Sequence, residues 1–159
     1  MPVWWNGRHK GLKIPRLVTA VPVQVWCPAD FFIMYSDTHF HFQKLTDDDT
    51  DRGAEILSAM VESKPLFALD IGVRSDDLEE RLNHMAQSLD SIENKTVRAM
   101  AEKFIYFSAG IWPDVDAIHN RWNEMETLEE QIEDASQKGE RFAKKIAAIG
   151  ECGLDHHWN

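Results

Sequence analysis

The chain has 159 residues, 43% of them apolar and 10% aromatic, enough for one globular domain with its own core. A formal charge of -10 and an isoelectric point near 5.1 exclude recognition of nucleic acid through a broad basic surface, because phosphate neutralisation needs clustered Lys and Arg. Cys27 and Cys152 are too few for a disulfide framework and fit a reduced, cytoplasmic protein, and no run approaches the roughly 20 apolar residues of a membrane span.

The first 34 residues differ from the rest. They hold Pro2, Pro15, Pro22 and Pro28 of the six prolines and Trp4, Trp5 and Trp26 of the six tryptophans. Four basic side chains stand there against Asp30, which leaves 13 basic and 26 acidic groups for residues 35 to 159. Pro22 and Gln24 interrupt the apolar stretch from Leu17 to Trp26, no small-residue cleavage pattern follows, and neither helical nor alternating periodicity is present. Residues 1–33 are expected to be an unstructured or non-native extension, with a functional arm as the alternative and Met34 as the natural start of a domain over residues 34–159.

From Tyr35 onward short apolar runs alternate with amphipathic ones, the pattern of βα units. The first run ends at His41. After the acidic turn Asp47-Asp48-Asp49, Ala54, Leu57, Met60 and Val61 recur at helical spacing and Pro65 closes the segment. A second strand is predicted over Leu66 to Ile71. Gly72 allows a turn, Ser75 or Asp76 can cap, and Leu78, Leu82, Met85 and Leu89 mark one helix face. Val97, Met100 and Ala101 predict a further turn or two of helix. Phe104 to Phe107 is apolar on both faces, as in a central parallel strand, and Trp112-Pro113 begins a loop. Thr127 and Glu130 form a capping box ahead of Leu128, Ile132 and Ala135, with Gly139 at the helix end. Ile146 to Ile149 makes a fourth strand.

Chemistry concentrates in Asp37-Thr38-His39-Phe40-His41. Strand side chains alternate, so Asp37, His39 and His41 share a face, with neighbours in that row roughly 6.5 to 7 Å apart, a spacing at which two imidazoles can converge on one ion. Neutral imidazole binds divalent transition metals, and Asp37 stands where a carboxylate can orient a histidine from behind. His-x-His alone also occurs on solvated surfaces. Its place at the C-terminal end of a strand favours a site, because α/β barrels and open sheets put theirs there. Glu151 also follows a strand end, with Gly150 and Gly153 beside it to let the backbone turn, although a lone loop glutamate is usually a solvated one.

Asp37-Thr38-His39-Phe40-His41, Ala109-Gly110-Ile111-Trp112-Pro113 and Ala148-Ile149-Gly150-Glu151-Cys152-Gly153-Leu154-Asp155 resemble, in order and rough spacing, successive motifs of the TatD-like metal-dependent deoxyribonucleases. The resemblance covers about residues 34 to 158, and Gly-Glu-x-Gly-Leu-Asp separates this family from other His-x-His barrels. It implies an α/β fold, the N-terminal half of a TIM (β/α)8 barrel with about four βα units. It further implies that His39 and His41 ligate one divalent ion, that Glu151 is catalytic and bridges two ions (Mg, Mn or Zn), and that the substrate is DNA. Two cations about 3.5 to 4 Å apart need anionic charge between them, and they can meet a phosphodiester where the protein itself is acidic.

Trp112 stands where the family usually has histidine and is assigned no catalytic role; it either stacks on a base or covers the core. Asp155 either supports the site from behind or caps the next turn. Cys152, with no base in sequence, reads as a small packing residue. His84 and His119 read as surface histidines, Glu124 to Glu133 as a solvated helix face, and the three aspartates as an acidic turn.

A complete barrel of this class has about 250 residues, whereas 125 follow Met34. The family's later histidine and aspartate ligands have no counterpart here, and His156 and His157 follow Glu151 too closely to replace them. The leading expectation is therefore a metal-dependent phosphodiesterase in incomplete form. One alternative is a catalytically silent half-barrel that self-associates through its exposed edges. Another is a different metal-dependent barrel, an amidohydrolase or a PHP-type phosphoesterase, separable by profiling amides against phosphodiesters.

Overall fold

The computed structural model describes residues 35–137 and 139–153. The expected extension over residues 1–33, and Asp155, His156 and His157, lie outside them. The chain runs through β1 (Ser36–Phe40), α1 (Phe42–Thr46), α2 (Thr50–Glu62), β2 (Phe67–Asp70), α3 (Leu78–Ser91), α4 (Lys95–Phe104), β3 (Ile105–Ala109), α5 (Val115–His119), α6 (Arg121–Ala135) and β4 (Ile146–Ile149).

All strand pairs are parallel, and the sheet order is β1-β2-β3-β4. Parallel neighbours need a crossover, and helices supply one between each pair of strands. The order never reverses. A doubly wound sheet would reverse at its switch point, so consecutive addition in one direction is the arrangement of successive strands in a TIM-type barrel.

Strand alternation sorts the two faces. Phe40, Ala68, Ile105, Phe107 and Ala109 turn toward the helices and join one buried cluster with Leu57, Leu78, Met85, Leu89 and Phe104. Burying each such Leu, Ile or Phe side chain contributes about 1.5 to 3 kcal/mol. On the opposite face Phe67 of β2 stacks on Tyr106 of β3, their ring centroids 4.9 Å apart. The site histidine His39 lies on the same side of β1 as Asp37, away from buried Phe40.

Helix ends follow local chemistry. Asp49 caps α2, its carboxylate accepting from the N–H groups of Asp51 and Arg52 at 2.9 and 3.1 Å. Asn94 caps α4 in the same way through Thr96 and Val97. Each such cap stabilises its helix by about 1 kcal/mol. The cap of α3 is neither Ser75 nor Asp76 but Asp77, whose carboxylate accepts no backbone N–H of the first turn and instead folds back onto the N–H groups of Val73 and Arg74.

The expected capping box at Thr127 is also corrected. The helix begins at Arg121, with Asn120 serving as both the end of α5 and the start of α6, and Thr127 lies half-buried in its interior. The preceding residues Arg121 to Met125 are mostly compatible with helix, so nothing forces a start at Thr127. Leu128, Ile132 and Ala135 face the core as expected, while Glu126, Glu129, Glu130 and Glu133 are exposed. The helix stops at Ala135; Gly139, with φ 115°, lies four residues beyond.

Candidate metal centre

The first half of the site is set by β1. Its extended backbone continues one residue past the strand, since His41 has φ -120° and ψ 98° as it caps α1. His39 and His41 therefore stay on one side, and their rings meet edge to face with centroids 5.2 Å apart. Asp37 acts on His39 through the backbone: its Oδ1 accepts the His39 N–H at 3.0 Å, and no bond to the His39 ring is present. The ring of His41 is held from a distant strand end. Its Nδ1–H donates to the Ile71 carbonyl at 3.2 Å, which fixes the tautomer and leaves Nε2 with a free lone pair.

Glu151 arrives from the other side of the sheet. Gly150, with φ 150°, takes the chain out of β4 in a conformation L side chains rarely adopt. Three contacts hold the turn: the Gly150 N–H donates to the Ala109 carbonyl at 2.8 Å, the Glu151 N–H to the Gly72 carbonyl at 2.8 Å, and the Ser108 hydroxyl to the Gly150 carbonyl. The Ser108 oxygen also accepts the Gly72 N–H at 3.1 Å. Gly110 is required by close approach, because a Cβ there would overlap the backbone of Gly150 and Glu151.

These strand ends bring ligand atoms of His39, His41 and Glu151 within 4.8 Å of one another. Two imidazoles and a carboxylate with their ligand atoms gathered this closely suit a divalent transition ion, so the residues fit such an ion. Beside His41 opens a cleft of about 470 Å³ lined in part by Lys44, Asp70, Arg74 and Asp77. At its base Asp70 is buried, and burial pushes its carboxyl above the ordinary range even though Arg81 pulls it down.

Other sequence-predicted residues fall elsewhere. Trp112 is exposed in the segment before α5, and its N–H donates to the Val73 carbonyl at 2.8 Å. Cys152 is a free, exposed thiol, not a packing residue, because the chain has already turned out of the sheet at Gly150. His84 is buried, not on the surface: its Nε2–H donates to the Thr46 hydroxyl at 2.8 Å while that hydroxyl donates to the Gln43 carbonyl, and its ring packs on Phe42. His119 is exposed as expected. The aspartate turn links two helices, with Asp47 and Asp48 at positive φ and Asp49 as the cap.

Ser108, Asp70, Asp77 and Arg81 were not singled out by the sequence reading. A signal existed for Arg81: it lies three residues after Leu78 and four before Met85, hence on the buried side of α3, and four after Asp77. Asp70 stood out in the same way as a carboxylate inside an apolar strand.

A non-reversing parallel sheet with two imidazoles and a carboxylate gathered at the C-terminal ends of its strands is the arrangement of a metal-dependent α/β-barrel hydrolase. Residues 36–159 match the family TatD related DNase, and the chain belongs to that family of metal-dependent hydrolases and nucleases. No curated protein and no solved structure matches it. Among the described residues no helix is long and apolar enough to cross a membrane.

Proposed function

We propose that the chain serves hydrolysis of DNA phosphodiester bonds, with His39 and His41 as ligands of one divalent ion and Glu151 as a carboxylate shared between two. The observation that supports this reading is the convergence of the three ligand atoms within 4.8 Å from strand ends far apart in sequence. When bound, Mg, Mn or Zn ions supply Lewis acidity that generates a nucleophile from water near neutral pH and offsets phosphate charge.

The protein's own groups have simpler tasks. His41 would hold an ion with its ring already oriented by the bond from Nδ1 to the Ile71 carbonyl. Glu151 contributes the negative charge that lets two cations sit close together. Lys44 lines the cleft beside His41 and offers a cationic contact to the flanking strand, while Arg74 there is paired with Asp76 and Glu80, so in a chain of net charge -10 the phosphate would be met chiefly by the ions.

The test is a nuclease assay on single-stranded DNA with divalent ions added or chelated, comparing the parent with His39→Ala. Activity that needs the ion and falls by at least about 10²-fold in the variant is expected, since even an indirect partner of a metal ligand commonly contributes 10- to 100-fold. Ion-dependent activity unchanged by the substitution would overturn the assignment.

A further inference from the structure

The candidate centre hangs on a segment that supplies none of its ligands. Asp70 to Val73, the end of β2 and the turn after it, touches the His41 side, Glu151 and the Trp112 segment in succession. Asp70 Oδ1 accepts the N–H of Phe42, next to His41, at 2.9 Å. The Ile71 carbonyl holds the His41 ring, the Gly72 carbonyl holds the Glu151 N–H, and the Val73 carbonyl holds the N–H of Trp112.

Arg81 braces this turn from behind. Its Nη1 donates to Asp70 Oδ2 at 2.9 Å and to the Asp70 carbonyl at 3.2 Å, Nη2 donates to the Ser108 carbonyl at 2.6 Å, and Nε donates to Asp77 Oδ1 at 2.9 Å. The other oxygen of Asp77 accepts the N–H groups of Val73 and Arg74 at 2.8 and 2.9 Å. The side chain of Arg81 is only 6% exposed, and Gly72 leaves it room, since a Cβ there would stand 2.6 Å from Nη2.

Stability alone does not explain so buried an ionic cluster. Charges taken out of water lose hydration that their mutual attraction barely offsets, and apolar residues of similar volume often serve stability as well. What they cannot do is tie four acceptors on three residues at fixed angles. A planar guanidinium can, and an ammonium, a single point charge, cannot.

We infer that Arg81 is a positioning residue that sets the placement of His41 relative to Glu151 by locking the Asp70–Val73 turn. The part of this that concerns ion binding rests on the metal-site reading above.

The experiment uses the full chain and Arg81→Lys, which keeps the charge and removes the fork. Two quantities are read: the tautomer of His41 by 15N NMR of its ring, and affinity for Co(II) by visible titration, with thermal melting as the check on folding. The parent is expected to hold the Nδ1–H tautomer. In the variant the two tautomers mix and Co(II) affinity falls about 10- to 100-fold, the usual loss when a group supporting a metal ligand is changed.

A cooperatively melting variant with the parent's tautomer and affinity overturns the inference. Should Arg81→Lys fail to fold, Asp70→Asn with Arg81→Gln removes the Arg81–Asp70 pair, leaves Asp77 on the N–H groups of Val73 and Arg74, and carries the same two expectations and the same overturning result. A tautomer change in a chain whose parent form takes up no Co(II) upholds the positioning role while removing the metal reading, so the two can fail separately.

Discussion

The two sides of the candidate centre are held by different means. His39 and His41 are placed by the period of one strand, two residues apart, and a single long-range bond from Ile71 then sets the ring of His41. Glu151 has no such local determinant. It leaves β4 through a glycine and is located by backbone bonds to Gly72 and Ala109 and by the Ser108 hydroxyl, all from neighbouring strands and the turn after β2. The histidine side is therefore robust to changes elsewhere in the sheet, whereas the glutamate side inherits the register of three strands at once.

If that contrast is right, the site should break first where strand ends crowd one another. Gly110→Ala is expected to have the largest effect, because the new methyl would occupy the backbone of Gly150 and Glu151 and must push them aside. Overpacking of this kind costs about 1 to 3 kcal/mol. A displacement of about 1 Å at a catalytic group commonly costs about 10²-fold in rate. Urea unfolding and the nuclease assay should report both, while the ring of His41 keeps its tautomer by 15N NMR. A Gly110→Ala protein with parental activity would mean that Glu151 does not depend on this packing.

Ser108→Ala should come next. It removes one hydroxyl that accepts from Gly72 and donates to Gly150, leaving one buried and one part-buried backbone group without that partner. The expected cost is about 1 to 3 kcal/mol of stability. Affinity for a divalent ion should fall by about 10- to 100-fold, measured by titration with Co(II). An affinity equal to the parent's would assign Ser108 to packing alone.

The same contrast decides what the sequence could show. Ile146 to Ile149 was legible as a strand and His39 with His41 as a pair because both rest on local periodicity, which the letters carry directly. The short helices α1 and α5 were not legible, since five residues hold too little period to be seen. The buried side of α3 was read as Leu78, Leu82, Met85 and Leu89, yet it also takes in Arg81, His84 and Ser88. That face packs against α2 and reaches the strand ends, so its buried arc is wider than its apolar letters. Thr127 misled for a related reason: a Thr-x-x-Glu spacing signals a helix start only where the preceding residues cannot continue the helix. Glu151 could be suspected from its glycines, but two of the bonds that place its turn go to backbone carbonyls, which leave no mark on residue type, and the third comes from Ser108, 43 residues away in the chain.

The mildest test lies on the histidine side. Asp37 was expected to orient a histidine ring, and its Oδ1 instead accepts the N–H of His39 at 3.0 Å in a partly open setting. Asp37→Ala leaves that N–H within reach of water, so a loss of only about 0.5 to 1.5 kcal/mol follows, at the low end for a hydrogen bond that solvent can replace. Strand alternation still carries His39 and His41 to one face without it, and the Ile71 carbonyl still fixes the ring of His41. Ion affinity should accordingly fall less than in Ser108→Ala, although Asp37 is two residues from a proposed ligand and Ser108 is 43 residues from Glu151 in the chain. A Co(II) titration in which Asp37→Ala proves the weaker binder of the two would reverse the order, and would make the carboxylate a direct participant in the site.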